Sequence, residues 1–238
     1  MTAKATVIEV RGLTKAFGIK PVLRKMDFYV EAGEFVALLG PNGAGKSTFL
    51  RILSGLSRPT FGEVRVSGYS LPRQAGAVRR LIGVVAHQPL LYGGLTAEEN
   101  LRFYGRLYRL ADIENRVANV LGFVGLRLHR RDLVREFSRG MQQRLAIARA
   151  ILHDPQIMLL DEPHTGLDQE AAAILDALLS DVAARGRTVV MTSHDLARFA
   201  ALASRVDILS KGVIADSLSR PEHDLADLAT RYRQVTHV

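Results

Sequence analysis

The chain has 238 residues, 47% hydrophobic and 24% charged, which excludes a disordered or fibrous chain and leaves enough length to bury a sizeable core. It has no cysteine, so a disulfide framework, a thiolate zinc site and a cysteine nucleophile are excluded. The net charge is +8. Between Arg102 and Arg149 eleven arginines face Asp112, Glu114, Asp132 and Glu136, a local balance of +7. Such a region fits nucleic acid, an anionic membrane surface, an acidic partner or a solvated surface. The absence of tryptophan and the 6% aromatic content weigh against nucleic acid. No apolar run approaches the ~18 residues of a membrane span. No apolar stretch follows Lys4 as in a secretion signal, so the expected location is cytosolic.

In chain order, Thr6 to Val10 alternates as a strand does. Phe35 to Leu39 is a continuous apolar run ending in Gly40, the pattern of a strand buried on both faces. Ser47 to Leu56 reads as a helix stopped by Arg58-Pro59. Leu81 to Ala86 is a further buried strand. Thr96 and Glu99 form a capping box for a helix to Tyr108, and Ile113 to Val124 is a second helix. Ser138 is an N-cap for a helix to Leu152. A strand at Ile157 to Leu160, a helix from Gln169 to Ala184, a strand at Thr188 to Thr192 and a short helix from Leu196 follow. Val206 to Leu209 and Val213 to Ala215 read as a closing hairpin, and the last fifteen or so residues as a polar tail that frays. Alternating strands and helices predict an α/β sheet. The stretch from 90 to 139 lacks strands and reads as a helical insertion.

Gly40-Pro41-Asn42-Gly43-Ala44-Gly45-Lys46-Ser47 matches G-x-x-x-x-G-K-[ST], after a strand and opening a helix. Glycines let backbone N–H groups curl into an anion nest, and the helix adds its positive end. Lys46 supplies a point charge for the β- and γ-phosphates of ATP, and Ser47 a hydroxyl for Mg²⁺. Asp161 and Glu162 close an apolar strand, Ile157 to Leu160, and the end of such a strand lies beside the phosphate loop of a parallel sheet. Asp161 is the expected Mg²⁺ holder and Glu162 the general base for an attacking water. His194, after the strand at Thr188, is within reach of a γ-phosphate, and Gln88, after the strand at Leu81, of Mg²⁺ or the water. Either residue alone is more simply read as structural.

Together these features resemble the ATP-binding subunit of ABC transporters. Phe137-Ser138-Arg139-Gly140-Met141-Gln142-Gln143-Arg144 resembles the family's signature (Leu-Ser-Gly-Gly-Gln), and Thr165-Gly166-Leu167-Asp168 its D-loop. Gln88 resembles the Q-loop glutamine and His194 the H-loop histidine. Phe17 resembles the aromatic that stacks on adenine; otherwise it is a core aromatic. The resemblance runs from Val7 to Val213. It implies one cassette over residues 5–217, with a helical subdomain of about 90–150 inserted and a tail of 218–238. The implied fold is a P-loop NTPase core sheet with an N-terminal antiparallel β subdomain. Further implied are nucleotide contacts by Thr48, Ser138, Gly140, Met141 and Asp168, and catalytic roles for Gln88, Glu162 and His194. ATP and Mg²⁺ are the implied cofactors. The implied partners are a polytopic membrane subunit and a second ATP-binding subunit, a homodimer closing on ATP, with no nucleic acid. The implied place is the cytoplasmic face of the cell membrane, as a peripheral subunit.

Two signature positions depart from the consensus: Arg139 stands for the first glycine and Met141 for the glutamine. Arg139 either binds ribose or phosphate or points to solvent. Within the family, Val84 to Tyr92, Leu95 to Leu101 and Phe137 to Arg144 resemble the ATP-binding subunits of haem exporters of cytochrome c biogenesis. Exporters of drugs, polysaccharides or lipids with the same type of membrane subunit are the alternative. A soluble ABC-type ATPase acting on nucleic acid, and a P-loop GTPase or small-molecule kinase, are remoter readings. The latter leave Ser138 to Arg144 unexplained.

Overall fold

A computed structural model describes residues 5–86, 88–167, 169–193, 203–219 and 225–236. The first half runs β1 (Thr6–Phe17), β2 (Lys20–Glu31), β3 (Phe35–Leu39), α1 (Lys46–Leu53), β4 (Phe61–Val66), β5 (Tyr69–Leu71), α2 (Ala75–Leu81), β6 (Ile82–Val85), α3 (Ala97–Leu107) and α4 (Ile113–Phe123). A 3₁₀ turn (Val134–Glu136), α5 (Arg139–Ile151), β7 (Ile157–Asp161), α6 (Gln169–Ala184), β8 (Thr188–Thr192), β9 (Arg205–Ser210), β10 (Val213–Ser219) and α7 (Leu225–Thr236) follow. Two sheets result. An antiparallel one has the order β2-β1-β4-β5, and a second has the order β10-β9-β3-β8-β7-β6. In the second, β9 to β6 are parallel and β10 alone is antiparallel, in a hairpin with β9. This is the expected P-loop core, antiparallel subdomain and helical part.

The continuous apolar runs of β3 and β7 follow from burial on two faces. Phe35, Ala37 and Leu39 enter a core with Leu101, Leu121 and Leu145 on the helical side, while Val36 and Leu38 face Met26, Phe49 and Ile52 under the antiparallel sheet. In β7, Met158 and Leu160 join the first core and Ile157 and Leu159 the second. Phe49 is fully buried and meets Phe28 edge-on, ring centroids 5.0 Å apart. Truncation of such a side chain to alanine typically costs about 3–5 kcal/mol. These cores hold α1 under the sheet, so the loop before it cannot drift from the strand ends.

Helix α3 starts where the capping box predicts. Thr96 Oγ1 accepts from Glu99 N at 3.2 Å, and Glu99 Oε2 accepts from Thr96 N at 2.8 Å. Asn100, fully buried, donates to Tyr92 O and Thr96 O (both 3.0 Å) and accepts from Tyr92 N (2.8 Å), pinning the preceding loop.

Four elements had no counterpart in the sequence reading: β2, β4, β5 and α2. The signal was present in β2, where Met26, Phe28 and Val30 alternate and are all buried. The last residues do not fray as expected. Leu225–Thr236 is a helix, with Leu228 fully buried and Ser210 Oγ donating to Val235 O at 3.2 Å. The short helix expected from Leu196 lies outside the described residues. No helix among the described residues is long and apolar enough to cross a membrane.

Candidate nucleotide site

The site forms at the C-terminal ends of the parallel strands. After Leu39 the backbone turns at Gly40 (φ +153), where a Cβ would stand 2.2 Å from Leu209 O. Only glycine lets the loop pass that close to β9. The loop then wraps into α1, and Lys46 is the first helical residue. Its ammonium is buried, with 6% of the side chain exposed. It donates to Gly40 O at 2.6 Å and Pro41 O at 3.3 Å, and lies 3.6 Å from Glu162 Oε1. A buried ammonium needs such partners, and it is held over the loop where an anion would enter.

Asp161 ends β7 and is 7% exposed. Its Oδ1 accepts from Ser47 Oγ at 3.0 Å and from Thr192 Oγ1 at 2.9 Å. Thr192 ends the neighbouring β8, in register with Asp161. Its Oγ1 also accepts from Glu162 N at 3.0 Å, so one hydroxyl orients both carboxylate residues. Glu162 has φ +50, a left-handed conformation uncommon outside glycine that turns the chain sharply after the strand. Thr165 Oγ1 donates weakly to Glu162 Oε2 at 3.4 Å.

A cleft of about 920 Å³ opens over these groups. It is lined by Phe17, Gly40, Pro41, Asn42, Gly43, Gly45, Lys46, Ser47, Thr48 and Glu162. Ala44 is buried beneath the loop. Phe17 is 57% exposed with Lys15 Nζ 4.7 Å from its ring centroid, so its face is on the surface and not in the core. That size and lining suit a nucleoside triphosphate. Ser47 and Asp161 present two oxygen donors side by side, the sparse protein contribution typical of Mg²⁺, which keeps waters and phosphate oxygens as its other ligands. Among the described residues no cluster of three acidic, histidine or cysteine side chains could hold a metal alone.

Other expected residues lie elsewhere. Gln88 sits exposed in the loop after β6 and does not line the cleft. Ser138, Gly140 and Met141 sit at the start of α5, away from the phosphate loop, with Ser138 Oγ accepting from Met141 N at 3.2 Å. Asp168 and His194 lie outside the described residues. Two residues were missed. Thr192 had a readable signal, as a hydroxyl at the end of a parallel strand. Tyr232 had none: α7 brings it to the cleft, where burial and the nearby charge of Glu162 push its phenol up.

Comparison with known proteins agrees with this geometry. The ABC transporter family model matches residues 23–165. The chain is 41% identical over 213 residues to Nod factor export ATP-binding protein I of Rhizobium meliloti (strain 1021), covering 88% of this chain and 64% of that one. It is 35% identical over 208 residues to linearmycin resistance ATP-binding protein LnrL of Bacillus subtilis (strain 168), covering 87% and 67%. It thus spans about two thirds of the length of these curated relatives. Among solved structures, an ATP-binding subunit of an ABC transporter superposes with TM-score 0.87 at 30% identity, over 95% of this chain and 99% of that one. A dimeric ATP-binding cassette in a post-hydrolysis state, bound to ADP and Pi, superposes with TM-score 0.82 at 30% identity, over 89% and 98%.

Proposed function

The chain belongs to the ABC transporter family, and on that premise we propose that it is the ATP-hydrolysing subunit powering export through a separate membrane subunit. The observation that carries the reading is the joining of Ser47, Asp161 and Thr192 by hydrogen bonds beside the Lys46–Glu162 pair. In this reading the loop amides and Lys46 bind the phosphates, and Lys46 exchanges its carbonyl partners for phosphate oxygens. Ser47 and Asp161 would hold Mg²⁺, which would supply charge neutralisation for the phosphates. Glu162 orients the attacking water and accepts its proton. Phe17 stacks on the base, and Gln88 and His194 are assigned to the γ-phosphate by the family resemblance alone, Gln88 lying outside the cleft. Ser138, Gly140, Met141 and Asp168 serve a nucleotide shared with a second copy, for which the dimeric cassette structure is the support.

The helical insertion, with its arginine excess, is the face for the membrane subunit. A cleft of about 570 Å³ between the core and the insertion, lined by Tyr104 and Tyr108, by Arg79 and Arg80 and by the buried Arg149, suits an acidic segment of that subunit. The subunit works at the cytoplasmic face of the membrane. For cargo, the alternative of another exporter of the same type is better supported than haem export. The relatives named above are a Nod factor export protein and a linearmycin resistance protein, and neither is a haem exporter.

The test is Glu162→Gln. It should retain ATP affinity, lose turnover by at least ~100-fold and accumulate as an ATP-bound dimer. Hydrolysis at the wild-type rate would end the assignment of Glu162. Pull-down of the trapped variant from its native membranes should recover a polytopic exporter subunit. Recovery of soluble partners or nucleic acid alone would end the transport reading.

A further inference from the structure

Helix α5 opens with Ser138 as its N-cap and Arg139 as its first residue. Two of its side chains reach the short segment that follows Glu162, and a third reaches helix α6 just beyond it. Gln143 Nε2 donates to Pro163 O at 3.2 Å, and Arg144 Nη1 pairs with Glu170 Oε1 at 2.9 Å. Arg139 lies directly against Gly166: a Cβ built there would stand 2.8 Å from the guanidinium carbon and 2.9 Å from Nε. Gly166 also has φ +74. Position 166 therefore disfavours a side chain by its backbone conformation, and an added Cβ would in addition push the guanidinium aside.

Arg139, Gln143, Glu162, Thr165, Gly166 and Leu167 share a small cavity of about 250 Å³. Glu162 and Thr165 also line the nucleotide cleft, so the two spaces meet at the carboxylate. Thr165 N donates to Glu162 O at 3.1 Å, and Thr165 Oγ1 reaches Glu162 Oε2. A chain of contacts thus runs from Arg139 through Gly166 and Thr165 to Glu162.

We propose that Arg139 is a positioning residue for Glu162: its guanidinium braces the 163–167 loop and so holds the carboxylate's aim into the cleft. A planar guanidinium suits this task because it can lie flat on a peptide at the end of a long stem, as an ammonium cannot. Glycine, the consensus residue at this position, would leave the loop unsupported on that side. Displacements of about 1 Å around reacting groups cost up to ~100-fold in rate, so a modest slackening is readable in turnover.

The proposal rests on the reading of Glu162 as the base, and the experiment separates the two. In the full-length chain, Arg139→Ala, Gly166→Ala and the double variant are compared for kcat, affinity for a non-hydrolysable ATP analogue, and amide hydrogen exchange. Arg139→Ala should lower kcat about tenfold with analogue affinity within about twofold. Exchange at Thr165, Gly166 and Leu167 should accelerate, while the amides of 145–150 within α5 stay protected. Since both substitutions disturb one contact, the double variant should lose less than the product of the two single losses, the backbone strain of Gly166→Ala being the unshared part. Unchanged kcat and unchanged loop exchange in Arg139→Ala would overturn the brace. So would losses that multiply in the double variant. A fall in analogue affinity matching the fall in kcat would put Arg139 on the nucleotide and overturn it as well. If Glu162→Gln hydrolyses ATP normally, the base assignment fails alone, and loop exchange still decides the brace.

Discussion

Acidification from pH 7 to pH 5 should remove about 2 kcal/mol of stability through one side chain, His153. Its ring stacks on Tyr108 with centroids 3.8 Å apart, and Nε2 donates to Ile82 O at 3.0 Å, while Nδ1 is buried and has no hydrogen-bond partner among the described residues. Burial pushes its pKa down from 6.5 to about 4, helped by the charges of Arg149 and Arg116 and opposed by the Ile82 carbonyl and Asp154. The unfolded chain binds the proton more readily, so stability is intact above pH 6.5 and falls as the pH drops toward the folded value. With those two values the linkage cost is negligible at pH 7 and about 2 kcal/mol at pH 5. It levels off at about 3 kcal/mol below pH 4. The assay is urea unfolding at several pH values for the wild type and His153→Gln, whose amide keeps a donor for Ile82 O. The difference between the two proteins isolates this residue from every other titrating group. NMR titration of the ring proton should place the midpoint near 4. Parallel pH dependence in the two proteins, or a midpoint near 6.5, would refute the burial argument.

Three further outcomes follow from the geometry. Arg205 is buried between Glu34 (2.8 Å) and Asp207 (3.2 Å), whose carboxyls burial already raises, with Phe28 and Tyr29 against its guanidinium. Arg205→Met leaves the buried Asp207 and the half-buried Glu34 without their cation and should cost about 3 kcal/mol at pH 7. The deficit should shrink toward pH 5, because the folded carboxyls take up protons before the unfolded ones; a deficit independent of pH would contradict it. Thr96→Ala removes the capping box of α3 and should cost about 1 kcal/mol by urea midpoint, with no change in ATP affinity. Lys46→Ala should weaken nucleotide binding by equilibrium dialysis at least ~10-fold, and unchanged binding would remove the loop's assigned role.

Much of the fold was legible because it depends on local pattern. The runs of β3, β7 and β8, the caps at Thr96 and Ser138 and the spacing of the phosphate loop each need only a few neighbouring residues to be recognised. Strands β4 and β5 escaped because both are short, and β4 takes its register from β1, some fifty residues earlier, while β5 is an edge strand paired only to β4. Helix α7 escaped because its polar composition hides a single face, with Leu228 buried and Tyr232 and Val235 packed on the core.

The residue types of the site were written in the chain itself: a glycine-rich turn before Lys46 and Ser47, and two carboxylates ending an apolar strand. Backbone curvature and charge at those positions are short-range consequences of side-chain chemistry. What only the tertiary structure decided was how distant positions meet. Thr192 serves Asp161 and Glu162 because two parallel strands end in register. Arg139 meets Gly166 because α5 crosses the loop after β7, and Tyr232 meets the cleft because α7 packs back onto the core. Such contacts form only when burial of the two cores brings remote segments together, and no local period or motif encodes that distance.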